Sequence, residues 1–153
     1  PVGRAVLGKL EGTAMVRNGL RGAFYPEPDK ATDAMVDRYV DMARAPGHRE
    51  ILMSLMAHHY DDDEIATPEK LAAIHTPTLI IHGEDDQLIP VAAGHKFDEA
   101  IPDSTLIVYP RTGHIPMEQI ADKSASDLRA WLKEKVYPEP TAEPAAVATA
   151  STE

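Results

Sequence analysis

Cysteine is absent from the 153 residues, which excludes disulfides, thiol catalysis and cysteine-ligated zinc. The redox compartment stays open, because a lack of cysteine does not fix it. No cluster of Lys or Arg stands out, and the formal net charge is −10. Binding nucleic acid or an anionic membrane surface requires a basic patch to neutralise phosphates, so neither partner is expected. No apolar run approaches the roughly 18 residues of a membrane span. The start at Pro1 shows neither an initiator methionine nor a charged-then-apolar leader. No motif names a compartment, and the expectation is cytoplasmic. The length and the hydrophobic fraction of 43% suit one modest globular domain, by the prior of roughly 100–200 residues per domain.

Residues 1 to about 66 read as helical. Leu10, Met15, Val16, Leu20 and Phe24 recur at mixed helical spacings, and "YPEPDK" interrupts them with two prolines. In "TDAMVDRYVDMARA", Thr32 is a candidate N-cap and Asp33 suits the positive end of the helix dipole. Met35, Val36, Tyr39, Val40 and Ala43 then mark one helical face. A further helix begins near Pro46, with Ile51, Leu52, Leu55 and Met56 as its expected buried stripe. "DDDE" at 61–64 reads as a solvated loop.

The character then changes. "TPEKLAAI" is a short helix with Thr67 as N-cap and Pro68 at the first helical position. "PTLIIHG" and "STLIVYP" are continuous apolar runs of strand length, as in parallel strands buried on both faces. "PVAAGHKFDEAI" is an amphipathic helix between them. "EQIADKSASDLRAWLKEKV" is a closing helix with Ile120, Leu128, Trp131 and Leu132 inward. Short apolar strands alternating with helices imply α/β architecture, a parallel sheet and right-handed crossovers. The alanine-, proline- and threonine-rich segment 137–153 reads as a disordered tail. Two strands expose two faces and two edges, more than the available helices cover. The second half is therefore expected to be the end of a larger sheet, with an N-terminal part missing.

Ligands of open α/β sheets bind beyond the carboxyl ends of the strands. Two loops hold that position: "GEDDQLIP" with three acids, and "RTGHIPME" with a histidine. An aspartate that accepts from His Nδ1 fixes the ring's tautomer, and the other nitrogen can then take a proton from a nucleophile. Parallel neighbours lie about 4.8 Å apart, so Asp86 and His114 can touch across 28 positions of chain.

Here the sequence resembles a known family. "HGEDDQLIP" followed by "GHIPMEQ" is similar to the C-terminal part of α/β-hydrolase fold enzymes, whose triad runs nucleophile, acid, histidine. Their pattern Gly-x-x-Asp-x-x-x-Pro falls on Gly83, Asp86 and Pro90, and their Gly-His on Gly113 and His114. The resemblance covers about residues 1–135. It implies a helical cap at 1–66, the C-terminal part of the core with its two parallel strands at 67–136, and catalytic roles for Asp86 and His114. It also implies a small-molecule, ester-like substrate, no metal or organic cofactor, and an N-terminal half of the hydrolase as the missing partner segment. The family's Gly-x-Ser-x-Gly nucleophile elbow has no counterpart here. Ser54, Ser104, Ser124, Ser126 and Ser151 all lie in other contexts.

The bland readings differ by residue. For Asp86 it is turn chemistry, with Asp85 as the competing carboxylate, and for His114 a polar loop contact. Glu84 is expected in solvent. His82 is expected to be a satisfied histidine beside the site, and Glu118 to serve the dipole of the last helix. His48, His75 and His95 read as surface or packing residues. A metal at His58-His59 lacks the i, i+4 pairing of a helical ligand set. Met35, Met42, Met53 and Met56 read as core, with an adaptable apolar contact to substrate as the alternative. Carbon–carbon bond hydrolases share similar caps, but often carry Trp where Ile115 stands. Epoxide hydrolases and dehalogenases use an aspartate nucleophile. A non-catalytic small-molecule-binding member and a bare fragment complete the alternatives.

Overall fold

The computed structural model describes residues 2–58 and 66–138, with side chains from residue 12 onward. The acidic loop 61–64, His59 and the segment from residue 139 lie outside the described residues. So does the side chain of Leu10.

The chain starts with a long helix, α1 (Val2–Ala23), followed by a 3-10 turn at Pro28–Lys30. Next come α2 (Asp33–Ala43) and α3 (His48–Ala57). Thr32 caps α2 as its sequence suggests, its hydroxyl accepting from the Met35 N–H at 3.3 Å. Apolar residues on facing sides of α1 and α2 make one core, in which Leu20, Ala23, Phe24, Ala31, Val36 and Val40 are buried. Phe24 and Val36 are fully enclosed, each worth about 1.5–3 kcal/mol relative to exposure. Ile115 packs against this core from the far end of the sequence. An ion pair between Arg17 and Asp33, at 2.6 Å, joins the two helices on the outside.

The second half holds α4 (Pro68–Ala72), β1 (Thr78–Gly83), α5 (Ala92–Ala100), β2 (Ser104–Tyr109), α6 (Pro116–Gln119) and α7 (Ala121–Trp131), which ends in a π-type turn at Leu132–Val136. Thr67 caps α4 by accepting from the Lys70 N–H at 3.4 Å. β1 and β2 pair in parallel, from Thr78 opposite Ser104 to Gly83 opposite Tyr109. α5 is the crossover between them. Among the described residues the sheet has these two strands.

Several expectations need correcting. The strands are half-buried rather than buried on both faces, since a two-stranded sheet leaves both edges unpaired among the described residues, and Met42, read as core, is 49% exposed. The stripe Ile51, Leu52, Leu55 and Met56 of α3 is 64%, 48%, 59% and 76% exposed, with Met53 exposed beside it. Periodicity marked the apolar face, but no described element covers it. The closing helix is also not continuous. Ile120 leaves helical geometry at φ −134, ψ 50, which separates α6 from α7, and Leu128 is 41% exposed. No helix among the described residues is long and apolar enough to cross a membrane.

Candidate functional site

Two loops leave the carboxyl ends of β1 and β2 side by side, and backbone hydrogen bonds lace them together. The Glu84 N–H donates to the Tyr109 carbonyl at 2.9 Å, and the Asp85 N–H to the Thr112 carbonyl at 3.0 Å. Asp85 thus contributes its backbone. Its carbonyl also accepts from the Gln87 side chain at 3.2 Å.

Asp86 closes the next turn. Its Oδ1 accepts from the N–H groups of Leu88 at 2.8 Å and Ile89 at 2.9 Å. Its Oδ2 lies 2.9 Å from Nδ1 of His114. A carboxylate only accepts, so Nδ1 carries the hydrogen, and the neutral ring keeps Nε2 as an acceptor. Among the described residues Nε2 has no hydrogen-bond partner. The side chain of Asp86 is 4% exposed and that of His114 is 33% exposed, so the carboxylate is enclosed and the imidazole is reachable. Burial alone would raise the Asp86 pKa. Hydrogen bonds from Ile89, His114 and Leu88, together with the attraction of His114, outweigh it and hold the pKa below the ordinary value of 3.8. The group is ionised at neutral pH.

His114 is fixed from its own side as well. Its backbone N–H donates to the Ala23 carbonyl at 2.7 Å, at the end of α1. Gly113 passes so close to this turn that a Cβ there would stand 2.2 Å from the Ala23 carbonyl oxygen. The histidine loop and the helical first half are thus stitched together at the site.

Gln119 completes the stitching, and the sequence reading missed it. Its Oε1 accepts from the Gly113 N–H at 2.8 Å, while its Nε2 donates to the carbonyls of Phe24 at 3.3 Å and Arg111 at 3.4 Å. The side chain is buried. Arg111 sits at φ 52, a left-handed conformation that costs an ordinary residue about 1–2 kcal/mol, and Gln119 holds its carbonyl there. Glu118 does more than serve a helix end. It pairs with Arg38 Nη2 at 2.5 Å and accepts from the Tyr39 hydroxyl at 3.0 Å, tying α2 to α6. Burial, then Glu118, raises the Tyr39 pKa.

An apolar recess of about 280 Å³ opens beside His114, lined by Val16, Gly19, Leu20, Ala23, Tyr39 and Ile115. A larger hollow of about 490 Å³ lies between α4 and α5, lined by Leu71 and Phe97 among others, and includes neither Asp86 nor His114. Among the described residues no group of three or more His, Asp or Glu could hold a metal ion.

Residues 18–119 match the model of the α/β hydrolase fold family. The chain belongs to this family. A non-heme chloroperoxidase from Burkholderia pyrrocinia is 38% identical over 80 residues, 49% of this chain and 29% of that protein. The 2-hydroxy-6-oxo-6-(2'-aminophenyl)hexa-2,4-dienoic acid hydrolase of Metapseudomonas resinovorans is 27% identical over 107 residues, 69% of this chain and 37% of that protein. The chain therefore aligns with well under half the length of these curated relatives. Among solved structures, the meta-cleavage product hydrolase of Pseudomonas fluorescens IP01 superposes with a TM-score of 0.66 at 22% identity, over 80% of this chain and 46% of that one. That likeness speaks for the fold alone. Helices beside two parallel strands thus form part of an α/β-hydrolase fold.

Proposed function

We propose that Asp86 and His114 are the acid and base of a hydrolase triad whose nucleophile is supplied from outside these 153 residues. On this reading residues 1–66 are the cap, and residues 67–136 belong to the core that carries the acid and histidine loops. The observation that carries it is the 2.9 Å contact from His114 Nδ1 to Asp86 Oδ2, with the other ring nitrogen free to accept. In such a reaction His114 Nε2 takes the proton of a serine hydroxyl as its oxygen attacks an acyl carbonyl. The resulting imidazolium stays paired with Asp86 and later gives the proton to the leaving group. Water, activated by the same base, then releases the acyl group.

Carboxylic esters are the first substrate class. An apolar recess beside the base suits an acyl chain, and no step requires a metal or organic cofactor. Carbon–carbon bond hydrolysis is the second reading, favoured by the 107-residue alignment with a dienoic acid hydrolase. Both begin at a carbonyl. The missing partner segment is the N-terminal half of the hydrolase, with its nucleophile and oxyanion donors. None of the serines in the present chain sits in a Gly-x-Ser-x-Gly elbow.

The test uses a longer polypeptide carrying this segment behind such an elbow, assayed on an activated ester. His114→Ala should lower kcat by about 10⁶-fold and Asp86→Asn by about 10⁴-fold, as in other triads. Losses below tenfold in both variants would overturn the assignment.

A further inference from the structure

His82 is the last side chain of β1 before Gly83, and it stands behind the acid. Its Nε2 lies 2.9 Å from the carbonyl oxygen of Ile89. A carbonyl accepts only, so Nε2 carries a hydrogen and donates it. The same Ile89 gives its own N–H to Asp86 Oδ1 at 2.9 Å. Both polar groups of the Ile89 backbone are therefore engaged, one by the aspartate and one by the imidazole. The ring is held in turn by α5. A Cβ added to Gly94 would stand 3.1 Å from His82 Nδ1 and 3.4 Å from Cγ, so glycine lets the imidazole lie against the helix.

His82 also faces the acid directly. Its Nε2 is 3.6 Å from Asp86 Oδ2, too far for a hydrogen bond. The imidazole donates to Ile89 instead, and Oδ2 is left to His114. Two histidines thus border one carboxylate and divide the work. One bonds Oδ2, and the other holds the turn that bonds Oδ1.

We propose that His82 is a positioning residue for the Asp86–His114 pair. By anchoring Ile89 it keeps the 86–89 turn closed on Oδ1, which aims Oδ2 at His114. The proposal rests on Asp86 and His114 being acid and base, but its test reads geometry rather than turnover.

The test is the His114 Nδ1–H proton resonance of the full 153-residue chain, assigned by its loss in His114→Gln. A hydrogen bond to Asp86 moves that proton downfield and slows its exchange with water. His82→Leu, which removes the donor, should make it exchange about tenfold faster, the effect of losing one neutral hydrogen bond. His82→Gln, whose amide N–H can reach Ile89, should restore most of the protection. Gly94→Ala presses on the ring without removing it and should give a smaller change of the same sign. It serves where the leucine variant does not fold. An unchanged resonance and exchange rate in folded His82→Leu, or in Gly94→Ala if only that variant folds, would overturn the role of His82. Absence of the downfield proton in the unmutated chain would instead contradict the Asp86–His114 pairing itself.

Discussion

Gly83 passes so close to the neighbouring loop that a Cβ on it would stand 2.1 Å from the carbonyl oxygen of Gly113. Gly83 ends the strand that leads to Asp86, and Gly113 precedes His114. The approach of these two backbones brings the Asp86 and His114 loops together before any side chain is placed. No substituent fits there, because the obstacle is main chain. Gly83→Ala should therefore cost about 2–3 kcal/mol of stability through overpacking. Denaturant unfolding of the two chains measures it. A cost near zero would mean that the loops part freely.

Gln119 joins Gly113 to the end of α1. Gln119→Met, of similar size, strands a buried N–H and two carbonyls and should cost about 1–3 kcal/mol. Gln119→Glu can still accept from Gly113 but cannot donate, so it should rescue little. Thermal unfolding of both variants ranks them. Equal stability of all three chains would deny the clamp.

The acid limb of stability should carry the signature of Asp86. Its folded pKa lies below the usual 3.8, so its contribution is fully present above the unfolded value and is lost as pH falls through the folded one. Stability curves of the chain and of Asp86→Asn should stay apart at neutral pH and converge below about pH 4. Parallel curves down to pH 2 would contradict the pairing.

The alkaline limb should report Tyr109. Burial, then the hydrogen bond to Asp127, pushes its pKa up to about 12. Here the folded value is raised, so the contribution is complete below the unfolded pKa of about 10 and disappears as pH rises through the folded one. An ultraviolet titration should show a phenol ionising near pH 12 that Tyr109→Phe lacks. Loss of any other transition would misplace it.

The sequence made some of this legible. Apolar runs of strand length bounded by turn residues located both strands, although their side chains are only half-buried before Gly83 and Tyr109. The resemblance to α/β-hydrolases at Gly83, Asp86 and Pro90 and at Gly113-His114 pointed to the two residues that the fold brings to 2.9 Å. The rest depended on contacts across long separations. Glu118 looks like a dipole residue until Arg38 and Tyr39, about 80 positions away, arrive beside it. Gln119 carries no local signal, since a buried amide and a solvated one read alike. His82 was legible as a satisfied histidine, but its partner in the 86–89 turn was not. The apolar face of α3 was legible as a face, but no described element covers it.

The most direct measurement is turnover of a small activated ester by the purified 153-residue chain. With the proposed acid and base in this chain and the nucleophile supplied from outside it, no sustained turnover that depends on His114 is expected. Multiple turnovers abolished by His114→Ala and unaffected by Ser54→Ala would contradict that assignment.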